Sequence, residues 1–453
     1  MLIKRPQNIV VVGGNAAGAA AAAKAKRNSP SSNVILYERS KFISTGTCEL
    51  PYLISGEIKD YKDIVFFSAD SFKEEKQVEV FVEHSVESID RRSKKIAVKN
   101  VISGHIYYQD YDKLILTTGS SAINHPDLLE PSQNLFHLKS VPDYIKIDNY
   151  LKSNKCKDVL IIGGGYIGLE TTESFHKSGF NVTILERDSL PLGNSEIEIK
   201  NRIKETLEKK NIRFYGNSDR LKVFKEGNYI KKIVANGIIF EPDMVIVSIG
   251  FKPRTQIGQA AMLNIGKYNG FKTDSFLKTN DPNILSAGDN SEVTNFITKK
   301  NDYIPLATIA HSMGHIAGDN ASGAFNKFLP VIKNIAVKLF DNCYSQVGLT
   351  HKEATEHRFN FEVITAEVPN LVKVMSNTKP TFGKILYEKN SKQILGASFF
   401  GQQEAIGNAD IIATLIQNKI TGSTLYNANY NYSPPCSPFI NLLSVLGRKI
   451  NKD

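Results

Sequence analysis

Cysteine is scarce in this sequence: Cys48, Cys156, Cys343 and Cys436 are the only four in 453 residues. Four thiols cannot staple a chain of this length, which excludes a disulfide scaffold and points to a reducing compartment. No apolar run approaches the ~18 residues that a bilayer-spanning helix needs, so no membrane partner is expected. Only Met1 to Gln7 precede the first strand-like run, Asn8-Ile-Val-Val-Val12, and no cleavable leader is expected either. Dense blocks of one charge are also missing. Lysine and arginine number 56 against 46 acids, a net charge of +10. The lysine pairs at 94–95, 209–210, 231–232 and 299–300 nevertheless lie far apart. A diffuse positive surface suits a small phosphate-bearing molecule and argues against a nucleic-acid partner. With 41% hydrophobic and 23% charged residues, the expectation is a soluble, cytoplasmic protein of about three domains.

What is present is a unit that occurs twice. The first copy is a β-branched run ending Val10-Val-Val-Gly-Gly-Asn-Ala-Ala-Gly18, an alanine-rich helix to about Arg27, and a strand Asn33-Val-Ile-Leu-Tyr-Glu38. The second reads Val159-Leu-Ile-Ile-Gly-Gly-Gly-Tyr-Ile-Gly168, a helix to about Ser178, then Asn181-Val-Thr-Ile-Leu-Glu186. Glycines let backbone approach a pyrophosphate, and the helix N-terminus offers free N–H groups and a positive dipole end. A carboxylate about 20 residues further on accepts from ribose hydroxyls. Glu38 and Glu186 both stand at that spacing. The second copy keeps Gly163, Gly165 and Gly168, whereas Asn15 takes the middle position of the first. One such turn is weak evidence; two with their acids predict two bound dinucleotides.

Further strands interleave with these units. Tyr111–Gly119 and Met244–Gly250 are buried-strand patterns running into small-residue turns, and Asn283-Ile-Leu-Ser-Ala-Gly-Asp289 is a third. Pro305–Gly314 opens a small-residue helix, with proline suited to its first turn. Beyond about residue 327 the pattern changes to strands at Phe361–Ala366, Gly383–Tyr387 and Ile394–Phe400, then a helix Glu404–Asn418 and a tail rich in Pro and Asn. The predicted fold is α/β: two Rossmann-like dinucleotide-binding domains (1–118 with 247–326, and 119–246) and a C-terminal α+β domain (327–453).

Cys48 lies in Ser44-Thr-Gly-Thr-Cys-Glu-Leu-Pro-Tyr52, just past the second strand of the first fold. Ser44 and Thr45 are capping-type residues, and Glu49 onward can open a helix. A thiol at a helix N-terminus is expected to have a lowered pKa and to supply a thiolate nucleophile. Cys156 and Cys343 lie beside or within apolar runs and read as structural.

The order of the first glycine-rich turn, the cysteine motif, Thr117-Thr-Gly-Ser120, Gly-Gly-Gly-Tyr-Ile-Gly-Leu-Glu170, Ile246-Val-Ser-Ile-Gly250 and Leu285-Ser-Ala-Gly-Asp289 resembles the pyridine nucleotide-disulfide oxidoreductase family. The Cys-x-Leu-Pro-Tyr form resembles its single-cysteine branch of coenzyme A disulfide reductases, persulfide or polysulfide reductases, and NADH oxidases and peroxidases. Members with an internal redox disulfide carry Cys-x4-Cys; here the fifth position after Cys48 is Leu53.

The resemblance implies FAD in the first fold, held by Gly13, Gly18, Glu38, Arg39, Val86, Thr118, Gly119, Asp289 and Ala307. It implies NADH or NADPH in the second, held by Gly163, Gly165, Ile167, Gly168, Glu186 and Gly250, with Glu170 at the nicotinamide–flavin junction. Glu186 favours NADH by repelling a 2′-phosphate, while Arg187 beside it offers that phosphate a partner. For a coenzyme A-type substrate it implies contacts from Ala16, Lys24, Arg27, Ser44 and Thr47. Lys24 and Arg27 stand i,i+3 on one helix face, where two cations suit phosphates.

In the homodimer that the family forms, the segment Tyr432-Ser-Pro-Pro-Cys436 would reach the partner's cysteine. Tyr432 would give a proton to the leaving thiolate. Cys436, where the family has an aromatic or small residue, either faces Cys48 of the other subunit as a resolving thiol or is incidental. A second family tyrosine has no counterpart around 368–380, which leaves the substrate open among disulfides, persulfides and polysulfides. No metal site is expected.

Two other readings remain. An NADH oxidase or peroxidase is one, although the basic residue typical of its first turn is here Asn15. A flavin-bearing redox sensor or binding protein is the other, although it has no need of Cys48.

Overall fold

The computed structural model describes residues 6–452. Strand Asn8–Val12 is central in a five-stranded parallel sheet ordered Ile284–Ser286, Lys113–Leu116, Asn8–Val12, Asn33–Tyr37 and Glu79–Phe81. Ile9 to Val12 are buried without a break, as expected of a parallel sheet covered on both faces. One face is covered by the helices Ala16–Asn28 and Ala307–Ala321, against Ile9 and Val11, and the other by an antiparallel sheet of His84–Asp90, Lys95–Asn100 and Ile106–Asp110, against Val10 and Val12. The helix backbones nearly touch: a Cβ at Gly314 would meet the Ala17 carbonyl, and one at Gly318 the Ala21 carbonyl. The alanine and glycine stripes exist because no larger side chain fits between the two helices.

The second sheet repeats the plan, in the order Leu135–Phe136, Met244–Val247, Asp158–Ile162, Asn181–Leu185, Arg213–Tyr215, again parallel. The chain leaves the first fold and returns to it through an antiparallel pair, Ser120–Ala122 against Phe251–Pro253.

The third sheet is antiparallel, ordered Asn334–Leu339, Asn342–Gly348, Ile394–Gly401, Pro380–Glu388, Phe361–Pro369. Helices Glu404–Gln417 and Leu442–Lys452 pack on it through Ile412, Ile416, Leu443, Leu446 and Ile450.

Two details differ from the sequence reading. The hairpin 334–348 has no apolar alternation to announce it, because its inner strand buries Tyr344, Ser345 and Gln346. Tyr344 donates to Gln346 Oε1 at 2.7 Å and Ser345 to the Ala405 carbonyl at 2.6 Å, so hydrogen bonds replace apolar contacts there. Pro305 lies outside its helix, because extended backbone at Leu306 (φ −114°, ψ 137°) delays helical geometry until Ala307. No helix among the described residues is long and apolar enough to cross a membrane.

The second and third folds are locked by buried charge. Lys384 Nζ lies 2.6 Å from Glu196 Oε2 and 3.0 Å from Glu198 Oε2, with Lys384 and Glu196 6% and 3% exposed. Removing the cation leaves carboxylates buried without a counter-charge. Lys384→Met is therefore expected to lower stability by about 3 kcal/mol or more in chemical denaturation. Adding Glu196→Gln and Glu198→Gln to it should recover much of that loss.

Candidate active site

One cleft of about 2110 Å³ runs between the folds and is lined by both glycine-rich turns and by Cys48. Most of the sequence-predicted residues meet there: Gly13, Ala16, Glu38, Arg39, Thr47, Val86, Thr118, Gly119, Asp289 and Ala307 from the first fold, and Gly163, Gly165, Ile167, Glu170, Glu186 and Gly250 from the second or its return. Gly18 and Gly168 lie beneath the turns instead. A Cβ on either would collide with the carbonyl of Gly13 or Gly163, so these glycines set the helix against its strand.

The cradles fit dinucleotides. Gly13 and Gly163 have φ of +103° and +106°, and their pro-Cβ faces abut the carbonyls of Thr117 and Ser248. The helices starting at Ala16 and Tyr166 have no side-chain cap, which leaves first-turn N–H groups for a phosphate. No atom lies within 4 Å of where a Cβ on Gly165 would stand. Each acid is also fastened to its own turn. Glu38 accepts from Gly14 N–H at 2.9 Å and Ser40 N–H at 2.8 Å. Glu186 accepts from Gly164 N–H at 2.5 Å and Asp188 N–H at 3.0 Å.

The cysteine segment is tied to the first turn. Ser44, in the left-handed region at φ 48°, donates its N–H to the Gly14 carbonyl at 2.8 Å. Asn15 Oδ1 accepts from Thr45 N–H at 3.0 Å. Ser44 and Thr45 thus belong to a short strand, Ile43–Thr45, and cap no helix. Cys48 sits in a 3-10 turn, Thr47–Glu49, ahead of the five-residue helix Leu50–Ile54. That helix is pinned to the one bearing Glu170: Ser178 Oγ donates to the Ile54 carbonyl at 2.7 Å, and Lys177 bridges Glu57 at 2.9 Å and Glu173 at 2.7 Å.

The expected low thiol pKa is corrected by this geometry. Enclosure by the cleft walls pushes the Cys48 thiol up, and the charges of Glu49, Glu170 and Asp289 push it further; only Lys139 opposes them. A helix of five residues is too short to reverse that balance. Glu170 is itself pushed up to about 7, first by burial and then by Glu173. The thiol titrates above that value, where Glu170 is ionised and repels the thiolate.

Sequence reasoning missed three cleft residues. Lys139 lies 3.6 Å from Asp289 Oδ2 and 3.9 Å from the centre of the Phe251 ring; nothing in its own stretch marks it, since only the fold brings it to Asp289. Arg254 lines the cleft near Arg39 and Glu38, and its N–H donates to the Gly119 carbonyl at 2.9 Å. Tyr166, inside the second glycine motif, lines the cleft and stacks on Tyr344 with planes 9° apart.

Ser44 is not part of the cleft lining, and four further predicted residues stand away from the cleft. Lys24 pairs with Asp319 at 3.3 Å, and Arg27 is exposed. Both cations act on His315, whose pKa is lowered first by burial and His311, with Asp319 opposing them. Tyr432 is half exposed against Phe439, and Cys436 is exposed beside it on the third fold.

The electrostatics predict the pH at which Cys48 becomes reactive. Glu170→Gln should move the onset of Cys48 alkylation to lower pH, and Lys139→Met should move it higher, as read by mass spectrometry of the Cys48 peptide.

Residues 7–314 match the pyridine nucleotide-disulphide oxidoreductase family, and residues 335–442 match its dimerisation domain. A coenzyme A disulfide reductase of Staphylococcus aureus is 26% identical over 442 residues, 97% of this chain and 99% of that protein. An NADH oxidase of Methanocaldococcus jannaschii is 26% identical over 429 residues, 94% of this chain and 95% of that one. A reduced CoADR-RHD of Bacillus anthracis matches in structure with a TM-score of 0.94 at 27% identity, covering 99% of this chain and 81% of that one. An NAD-dependent persulfide reductase from A. fulgidus matches with a TM-score of 0.93 at 26% identity, covering 98% and 83%. The two nucleotide cradles, the cleft cysteine and the antiparallel third sheet thus belong together: this chain is a member of the pyridine nucleotide-disulphide oxidoreductase family.

Proposed function

We propose that this protein is an FAD-dependent NAD(P)H reductase of a small disulfide, persulfide or polysulfide, acting as a homodimer. The observation that carries the reading is the position of Cys48, which opens into the same cleft as both dinucleotide cradles. Gly13, Glu38, Arg39, Thr118 and Asp289 would hold FAD, and Gly163, Gly165 and Glu186 the nicotinamide coenzyme. Bound FAD supplies the passage of an electron pair from nicotinamide to sulfur.

The residues of the chain do the rest. Cys48 as thiolate attacks one sulfur of the substrate disulfide, forming a mixed disulfide and expelling the other half as a thiolate. That leaving thiolate needs a proton. Tyr432, brought by the tail of the partner protomer, is placed by this reading to give it. Cys436 on the same tail would attack the Cys48 sulfur of the mixed disulfide, releasing the second half of the substrate as a thiolate and leaving a Cys48–Cys436 disulfide, which the electron pair that NAD(P)H and FAD would supply returns to two thiols. The exposed apolar residues Phe439, Ile440 and Tyr426 around that tail suit burial in such a dimer. Thr47 and Ala16 would line the substrate approach beside Ser44 on the first turn, and the cations Lys24 and Arg27 at the helix end would meet the phosphates of a coenzyme A-type thiol.

An oxidase reading is weaker on one observation. Asn15 stands in the first turn without a basic group, and its side-chain Oδ1 already accepts from Thr45 N–H.

Anaerobic addition of NADH to the FAD-loaded protein should produce a long-wavelength band from the Cys48 thiolate beside the ring, and Cys48→Ser should lack it. The same variant should lose at least about 10³-fold in disulfide turnover. Coenzyme A disulfide, its persulfide, polysulfide and glutathione disulfide are the substrates to compare. Unchanged turnover in Cys48→Ser sinks the proposal. Cys436→Ser should slow release of the second substrate half, and full turnover on every sulfur substrate would remove Cys436 from the chemistry.

A further inference from the structure

The sequence leaves NADH and NADPH undecided, because Glu186 repels a 2′-phosphate and Arg187 invites one. The two coenzymes differ only in that phosphate, so the charges around the ribose end of the second cradle set the choice.

Glu186 is fixed in place there. Its two oxygens accept from Gly164 N–H and Asp188 N–H, which leaves the acid no other rotamer without losing both bonds. Arg187 is not alone. Its Nε lies 3.6 Å from Asp188 Oδ1, and it extends into solvent with 73% of its side chain exposed. Asp188 in turn packs against Gly193, where a Cβ would strike its Oδ2. Asp219, from the loop that follows the last strand of this sheet, lines the same end of the cleft. Glu186, Asp188 and Asp219 thus bring three carboxylates to the cleft wall, with the Arg187 guanidinium held by Asp188 and the Lys200 ammonium behind them, donating to the Gly193 carbonyl at 2.6 Å.

The cations that the third fold contributes to the cleft wall do not change that count. Lys333 is paired with Glu353 at 2.5 Å, and Lys352 with Glu356 at 4.0 Å. Among the described residues neither Glu186 nor Asp219 has a cation partner within ion-pair distance.

We infer that this end of the cleft selects NADH over NADPH, with Glu186 excluding the 2′-phosphate and Asp188 keeping Arg187 from rescuing it. The inference rests on the second fold being the nicotinamide coenzyme site, and it specifies which coenzyme that site takes.

Calorimetry with ADP-ribose and 2′-phospho-ADP-ribose reads the discrimination without turnover. The FAD-loaded wild type should bind ADP-ribose at least about tenfold more tightly, and kcat/KM should favour NADH over NADPH in the same direction. Raising the salt should narrow the gap by improving the phosphorylated ligand, since the opposing charges are exposed. Asp188→Ser frees Arg187 and should narrow the gap several-fold through the phosphorylated ligand alone. Glu186→Ala should narrow it further; because that change also removes a bond to the turn, Asp188→Ser and the salt series decide the matter if the variant misfolds. Equal or tighter wild-type binding of the phosphorylated ligand overturns the inference. Failure of both ligands to bind overturns the assignment of the second fold itself.

Discussion

The bond from the Ser44 N–H to the Gly14 carbonyl is the constraint on which the chemistry of this protein depends. It seats the cysteine segment on the first glycine-rich turn, so the sulfur and the nucleotide cradle cannot drift apart. Ser44 adopts a left-handed backbone to make it, a conformation costing an L-residue roughly 1–2 kcal/mol. The adjoining bond from Thr45 to the Asn15 side chain helps to offset that cost. A glycine at position 15, as in the second turn, would lack this tie. The departure from the three-glycine pattern is thus a fastening and not a defect.

Around the seated thiol the charges run against simple nucleophile activation. Enclosure and the neighbouring acids favour the protonated form, and a lone lysine favours the thiolate. Such a balance makes the acids of the cleft, and not only its lysine, determinants of how readily the thiolate forms. Lys177 couples the same region mechanically, since it joins the helix after Cys48 to the helix carrying Glu170.

Much of this was legible in the sequence. The twofold strand–turn–helix pattern with an acid after each copy specified both parallel sheets, because continuous burial writes continuous β-branched runs. Gathering Cys48, Glu170, Asp289 and Ala307 into one cleft also agrees with the motif order. What was not legible depends on contacts between distant segments. Lys139 reaches Asp289 across two folds, and Lys24 is drawn to Asp319 at the far end of another helix. The thiol was misjudged because the N-terminal rule needs a longer helix than Leu50–Ile54 and a cleft without acids. The hairpin 334–348 carries no such signal, since its buried strand is polar and held largely by hydrogen bonds from Tyr344 and Ser345.

The antiparallel ladder of Ser120–Ala122 and Phe251–Pro253 has an architectural consequence. Both ends of the second nucleotide fold emerge side by side from one small splice, so that fold is a cassette nested inside the first. The cassette nevertheless carries Glu170, the Lys177 bridge to the cysteine segment and the Glu196 partner of Lys384, so the coenzyme site and the surroundings of the thiol are inherited together.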